Sequence, residues 1–153
     1  MNSILLDTNL WLLLVVGMCN RDYIAQHKRT QDFLAEDFDL LLTAINSYEQ
    51  LWITSHCLAE VSNLLRQTHR KLAQELISFL AAFATRVQES HLTKASIFTQ
   101  AMVTRLGVAD TGMFLKSKRV TVLTVDLDLY LEILRAGRRV INFNHLRQRH
   151  LLG

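Results

Sequence analysis

Four acidic residues stand beside apolar segments of this chain, in places where an unpaired carboxylate is costly. They are Asp7 in ILLDTN, Glu60 in ITSHCLAEV, Asp110 in LGVADTG and Asp126 in VLTVDLD. Four carboxylates that converge repel one another, and a hard divalent cation such as Mg²⁺ or Mn²⁺ relieves that repulsion through oxygen ligands. No constellation of histidines and cysteines competes for the site, which disfavours zinc. An ion held by acids in this way supports the hydrolysis of phosphate esters.

The segments around these acids alternate between predicted strands and predicted helices. This alternation predicts a three-layer α/β fold with a mainly parallel central sheet flanked by helices. Strands are predicted at residues 3–6, 51–55, 120–125 and 139–143, and helices at 10–18, 22–36, 38–48, from 55 or 56 onward, 71–86, 93–105, 109–117 and 127–136. Because parallel strands end at the same edge of their sheet, we expect Asp7 and Asp126 to share one edge, with Glu60 and Asp110 within reach.

Composition and charge limit the classes of protein to which the chain can belong. Its 153 residues and 50% apolar content are typical of one globular domain, which we expect to span residues 1–153. Residues 1–60 hold 3 Lys or Arg and 8 Asp or Glu, whereas residues 61–153 hold 14 and 6. The basic second part suggests either a polyanion partner or a solvated basic face. Two cysteines without metal or disulfide spacing, and no apolar run of membrane-spanning length, indicate a reduced, cytoplasmic protein.

In their order and separation, the four acidic motifs resemble those of the PIN domain, the metal-dependent ribonuclease fold of VapC-type toxins. That family has a strand ending in Asp, a helix with Glu in an apolar setting, a Gly shortly before an Asp, and a strand followed by Thr-x-Asp. The matching segments here are ILLDTN, ITSHCLAEVSNLL, LGVADTGMFL and VLTVDLDL. The resemblance covers nearly the whole chain and implies a single PIN-like nuclease domain.

The resemblance also implies roles for individual residues. The expected catalytic residues, which would bind one or two Mg²⁺ or Mn²⁺ ions, are Asp7, Glu60, Asp110 and Asp126. Asp128 is expected to support the metal site. The polar neighbours expected to orient carboxylates or water are Thr8, Asn9 and Thr124. The basic residues expected to bind the RNA backbone are Arg66, Arg70, Lys116, Lys118 and Arg119.

The function implied by the resemblance is that of an endoribonuclease, which hydrolyses RNA phosphodiester bonds and leaves a 5′-phosphate and a 3′-hydroxyl. Toxin-type members of the family commonly form dimers and are held inactive by a cognate antitoxin. A homodimer, an antitoxin partner and a role in a toxin–antitoxin or defence system are therefore expected, and no membrane partner is expected.

Each acid also has a structural interpretation when it is considered alone. Asp7 and Asp110 could each cap a helix, Asp126 could be a turn residue, and Glu60 could be an ordinary solvated helix residue. The acids expected to lie on the surface without a role in the site are Asp32, Asp37 and Asp39.

Three other functions stay open at this point. A DNA-directed nuclease on the same fold would use the same acids, since phosphate chemistry does not distinguish the sugar. A catalytically silent scaffold that binds RNA or protein is disfavoured by the presence of all four acids. A phosphatase similar to the haloacid dehalogenases is the least favoured, because its first motif needs a second acid where this chain has Asn9.

Overall fold

A five-stranded sheet forms the centre of the protein. The computed structural model describes residues 2–153. The strands are β1 (Ser3–Leu6), β2 (Gln50–Thr54), β3 (Gln88–Ser90), β4 (Thr121–Thr124) and β5 (Val140–Asn142). Their order across the sheet is β3-β2-β1-β4-β5, and every neighbouring pair is parallel. The parallel α/β fold that the alternating pattern predicted is confirmed.

Eight helices within residues 2–153 connect and flank these strands. They are α1 (Thr8–Cys19), α2 (Ala35–Asn46), α3 (Ser55–Leu65), α4 (Arg70–Ala84), α5 (Lys94–Phe98), α6 (Val103–Lys116), α7 (Leu127–Arg135) and α8 (Phe143–Leu152). None of these helices is both long and apolar enough to cross a membrane.

The side chains of β1 alternate between two apolar layers, one on each face of the sheet. Ile4 and Leu6 pack with residues of α1, α2, α3 and α4, whereas Leu5 packs with Met113 and Phe114 of α6. The helix α1 is apolar all round and is buried along almost its whole length, as expected for a helix without a polar face. These two layers fix β1 at the middle of the sheet and hold its carboxyl end, at Asp7, in place.

Several predicted elements differ from the structure, for identifiable reasons. The helix predicted at 22–36 is wrong: a short 3₁₀ turn at Arg21–Tyr23 is followed by further turns, which buried polar side chains hold in place. In this segment His27 Nε2 donates to the Leu65 carbonyl at 2.9 Å, and Thr30 Oγ1 donates to the Ile24 carbonyl at 2.8 Å. The single helix predicted at 93–105 is also wrong, because α5 ends at Phe98 and α6 begins only at Val103.

The expectation that Asp37 is a solvated surface acid is wrong as well. Its side chain is buried, and both of its oxygens accept hydrogen bonds from Arg147 of α8, each at 3.1 Å. Asp37 also accepts from the backbone N–H of Leu34 and so caps α2. The Arg147 guanidinium lies over the ring of Phe33, 5.2 Å from its centroid. The ion pair between Asp37 and Arg147 therefore holds α8 against the start of α2.

Candidate active site

Asp7 lies where three elements meet. It follows β1 directly and is the N-cap of α1, with Oδ1 accepting from the Leu10 backbone N–H at 2.9 Å. Its Oδ2 accepts from Thr124 Oγ1 at 2.6 Å and from the Val125 backbone N–H at 2.7 Å, at the end of β4. Only 3% of the residue is exposed. The two interpretations of Asp7 from sequence, a helix cap and a residue at the carboxyl end of a strand, therefore both hold.

The pKa of Asp7 is raised above its ordinary value, chiefly because burial disfavours the charged carboxylate. The hydrogen bonds from Thr124, Leu10 and Val125 oppose this rise, and the nearby charge of Asp126 adds to it. The three donors hold the carboxylate in one orientation. Oδ2 accepts two of these hydrogen bonds and Oδ1 accepts one, so Oδ1 retains a further lone pair for another ligand.

Thr124 joins Asp7 to Asp126. The buried Thr124 hydroxyl donates to Asp7 and accepts from the Asp126 backbone N–H at 2.9 Å. Asp126 is half-buried and is the N-cap of α7, with Oδ1 accepting from the Leu129 backbone N–H at 2.9 Å. The ends of β1 and β4 thus present two carboxylates on one edge of the sheet, and the Thr124 hydroxyl binds the carboxylate of Asp7 and the backbone N–H of Asp126.

Asp110 reaches the same edge from α6. That helix is interrupted at Gly107, whose φ of 84° and ψ of 176° belong to a region of backbone conformation open almost only to glycine. Helical geometry resumes before Asp110, which is half-buried. Burial is the first cause that raises the pKa of Asp110 to about 7, followed by the charges of Asp126, Asp7 and Glu60. The charges of the other three predicted acids therefore reach Asp110.

Glu60 approaches from α3, which begins directly after β2. The hydroxyl of Thr54 caps this helix by accepting from the Cys57 backbone N–H at 3.1 Å. Cys57 lies beneath the acids, with Sγ 3.4 Å from Thr8 Oγ1. Burial raises the pKa of its thiol to about 12, and the charges of Asp7, Glu60 and Asp110 contribute. Glu60 itself is exposed, so its carboxylate can adjust its position.

The acids form an electrostatic group rather than a closed set of ligands. Within residues 2–153, no three side chains of His, Cys, Asp or Glu lie close enough together to hold a metal ion. The pKa of Asp110, by contrast, shows that the charges of the other three acids reach it. The charges of the other three acids therefore reach Asp110, but no three of the four carboxylates have the spacing of ligands to one ion. Asp128 and Asn9 are exposed in the first turns of α7 and α1.

The predicted RNA-binding residues lie on several different elements. Lys116, at the end of α6, is half-buried, with Nζ 4.9 Å from the centroid of the Trp52 ring. Lys118 and Arg119 are exposed and precede the amino end of β4, at the edge of the sheet opposite Asp126. Arg66 directly follows α3, and Arg70 is the first residue of α4. Both line a groove between these two helices.

His56 was not identified from the sequence as a site residue, although the structure places it one helical turn before Glu60. It lies in the first turn of α3, two residues after the end of β2 and four residues before Glu60, on the same side of the helix. Its Nδ1 is buried and has no hydrogen-bond partner within the described chain. A polar residue that directly follows a predicted strand is the signal that could have identified it. Thr111 Oγ1, beside Asp110, is likewise buried without a partner among residues 2–153.

Comparison of the chain with models of known protein families gave no match, and neither did comparison with curated proteins. Family and activity are therefore proposed below from the chemistry of the site and from the resemblance of its motifs.

Proposed function

We propose that this protein is a Mg²⁺- or Mn²⁺-dependent endoribonuclease of the PIN-domain type. The observation that supports this most strongly is that acids from three other segments lie near enough to Asp110 for their charges to raise its pKa. The raised pKa of Asp110 reflects, after its burial, negative charge from Asp126, Asp7 and Glu60, and no cationic side chain among residues 2–153 contributes an opposing effect. The carboxyl edge of an α/β sheet is also where such folds bind their ligands.

The acids fit a hard divalent cation in donor type, and they would have to draw closer together around the ion than they lie in this structure. All four candidate ligands are carboxylates, the donor type that Mg²⁺ and Mn²⁺ prefer. The residues that would hold one or two ions are Asp7, Glu60, Asp110 and Asp126, with Asp128 nearby. When bound, such an ion lowers the pKa of water and offsets charge that develops on the phosphate and on the leaving oxygen.

The protein's own groups differ in how firmly they are held. Asp7 is fixed by three hydrogen bonds and Asp126 by one, with Thr124 between them. Glu60 is exposed on α3 and free to adjust. Asp110, whose pKa is about 7, exchanges its proton close to neutral pH. Firmly held carboxylates at the ends of β1 and β4, with an exposed carboxylate on α3, suit a site that orients a phosphodiester for attack by water in line with the leaving 3′-oxygen.

Further parts of the proposal rest on the resemblance of the four motifs alone. They are a toxin or defence role, a cognate antitoxin and a homodimer. The proposed cytoplasmic location rests instead on the two cysteines without disulfide spacing. The expected products are a 5′-phosphate and a 3′-hydroxyl.

The test is cleavage of total cellular RNA by the purified protein with Mg²⁺, with Mn²⁺ and with EDTA. We expect discrete fragments that require metal and that disappear in Asp126→Asn. A matched control, Asp32→Asn, removes an exposed acid from the loop before α2 and should cleave like the wild type. Cleavage that survives both EDTA and Asp126→Asn would contradict the proposal. Cleavage of single-stranded DNA but not RNA would favour the DNA-directed alternative, and RNA binding without cleavage would favour the scaffold.

A further inference from the structure

The last helix, α8, begins at the same edge of the sheet as Asp7 and Asp126. It follows β5, which lies parallel to β4, and Asn142 at the end of β5 is the register partner of Thr124 at the end of β4. Asn142 caps α8, with Oδ1 accepting from the Asn144 backbone N–H at 2.9 Å. The first turn of α8 therefore lies beside the segment that joins β4 to α7.

Two partners hold the Asn144 side chain in one orientation. Its Oδ1 accepts from Arg147 Nη1 at 3.1 Å, and its Nδ2 donates to the Val125 carbonyl at 3.4 Å. A guanidinium has donors only, so the amide oxygen of Asn144 faces Arg147 and the amide nitrogen faces Val125. Arg147 is itself held by its ion pair with Asp37 of α2. The direction of the Asn144 donor is thus fixed by contacts on the side away from the acids.

The carbonyl that Asn144 contacts belongs to the peptide bond between Val125 and Asp126. The N–H of this same peptide, on Asp126, donates to Thr124 Oγ1 at 2.9 Å. The N–H of Val125, one peptide earlier, donates to Asp7 Oδ2 at 2.7 Å. A rotation of the peptide between Val125 and Asp126 would withdraw its N–H from the hydroxyl that binds Asp7. It would also shift the start of α7, where Asp126 is the N-cap.

We propose that Asn144 is a positioning residue for the candidate active site, acting on Asp126 and Asp7 through the peptide that precedes Asp126. This inference rests on the proposed function. The contact of Asn144 with the Val125 carbonyl is long for a hydrogen bond between nitrogen and oxygen, so it contributes little to global stability. Its effect is to limit the rotation of one peptide. Partners that orient metal ligands in this way affect metal affinity and activity.

The experiment measures hydrogen exchange of the Val125 and Asp126 backbone amides by NMR in EDTA, so that neither metal nor RNA is involved. Asn144→Leu removes both amide groups and keeps a side chain of similar size. Asn144→Asp keeps the acceptor for Arg147 and loses only the donor, and it carries the test if the leucine variant does not fold. The matched control, Gln148→Leu, makes the same replacement one turn later on α8, at an exposed position.

In both Asn144 variants the amides of Val125 and Asp126 should exchange roughly threefold to tenfold faster than in wild type, the range expected for the loss of one hydrogen bond. Gln148→Leu should exchange at the wild-type rate, and the amides of β2 should be unchanged in all three variants. Wild-type rates at Val125 and Asp126 in both Asn144 variants would overturn the inference. A uniform increase that includes β2 would overturn it too, since Asn144 would then be a general contributor to stability.

Binding of Mn²⁺, measured by calorimetry without RNA, tests the effect on the acids. Asn144→Leu should bind Mn²⁺ roughly tenfold more weakly than wild type, which is the lower end of the effect known for partners of metal ligands. Gln148→Leu should bind Mn²⁺ like wild type. The kcat for RNA cleavage should also fall in Asn144→Leu, with KM for RNA little changed, because Asn144 acts on the acids and not on the RNA. Wild-type Mn²⁺ affinity and kcat in Asn144→Leu, despite faster amide exchange, would overturn the inference.

The two kinds of measurement separate this inference from the proposed function. If wild type binds Mn²⁺ and cleaves RNA but both Asn144 variants exchange like wild type, the role of Asn144 fails and the nuclease proposal stands. If the exchange of Val125 and Asp126 changes as expected but wild type cleaves no RNA with any metal, the nuclease proposal fails. The orientation of the peptide before Asp126 by Asn144 then still stands.

Discussion

Replacement of Asp110 by asparagine should stabilise the metal-free protein at neutral and alkaline pH. Burial, and then the charges of Asp126, Asp7 and Glu60, raise the pKa of Asp110 from 3.8 to about 7 in the folded protein. Between these two pH values the folded state holds a proton that the unfolded state has lost. The free energy of unfolding therefore falls as pH rises from about 4 to about 7, and it levels off above that.

The size of the effect follows from the same pKa change. A carboxyl whose pKa rises from 3.8 to about 7 destabilises the folded protein by at most ~4 kcal/mol once it is ionised in both states. Because Asp110 is only partly buried and Glu60 can move away from it, we expect about half of this figure, ~2 kcal/mol. The amide of an asparagine cannot ionise, so Asp110→Asn should gain this stability at pH 8 and little or none at pH 4.

The assay is urea unfolding in EDTA at several pH values from 4 to 8, with wild type, Asp110→Asn and the exposed control Asp32→Asn. The difference in unfolding free energy between Asp110→Asn and wild type should grow with pH and reach a plateau above pH 7. Asp32→Asn should show no such trend. A difference for Asp110→Asn that does not change with pH, or a wild type that is the more stable protein at pH 8, would refute the electrostatic account of this site.

Three further predictions concern stability. Asp7→Ala should lower the unfolding free energy by about 2–4 kcal/mol, because the N–H of Val125 and the N-terminus of α1 both lose their hydrogen-bond acceptor. Urea unfolding measures this loss, and unchanged stability would contradict the connection of β1, α1 and β4 through Asp7. Asp37→Ala should cost a similar ~2–4 kcal/mol, since it leaves Arg147 half-buried without its partner, and Asp37→Ala with Arg147→Met should recover part of that loss in thermal unfolding. Gly107→Ala should cost about 1–3 kcal/mol through backbone strain alone, because no atom within 4 Å would meet the added Cβ; a variant as stable as wild type would show that the helix can straighten there.

The sequence identifies the strands that carry the site because these are short apolar runs ending in a polar residue. β1 and β4 follow this pattern, and the rule that parallel strands end at one edge then predicts where Asp7 and Asp126 lie. β3 was not predicted because the segment QES contains no apolar residue and joins the sheet only as its edge strand. α8 was not predicted because Phe143 is its only buried residue, so it has no apolar stripe.

Features that depend on distant partners could not be predicted. Asp37 is buried only because Arg147, 110 residues later, reaches both of its oxygens. The segment after α1 contains apolar residues at helical spacing, yet the hydrogen bonds of His27 and Thr30 to backbone carbonyls hold it in turns. The spacing of the four acids at the sheet edge likewise depends on how α3 and α6 pack against the sheet. No local sequence pattern determines that packing.

Asp7 and Asp110 differ in the contacts that their replacement would remove, and this difference has an evolutionary consequence. Asp7 connects β1, α1 and β4 through three hydrogen bonds, so a lineage that stopped using the site would lose those bonds by replacing it. Asp110 has a cost in the metal-free fold, and such a lineage would gain stability by discarding it. Among chains with this architecture, the aspartate after the first strand is therefore a poor marker of activity. Retention of the acid at the Asp110 position distinguishes the lineages in which selection still maintains the chemistry.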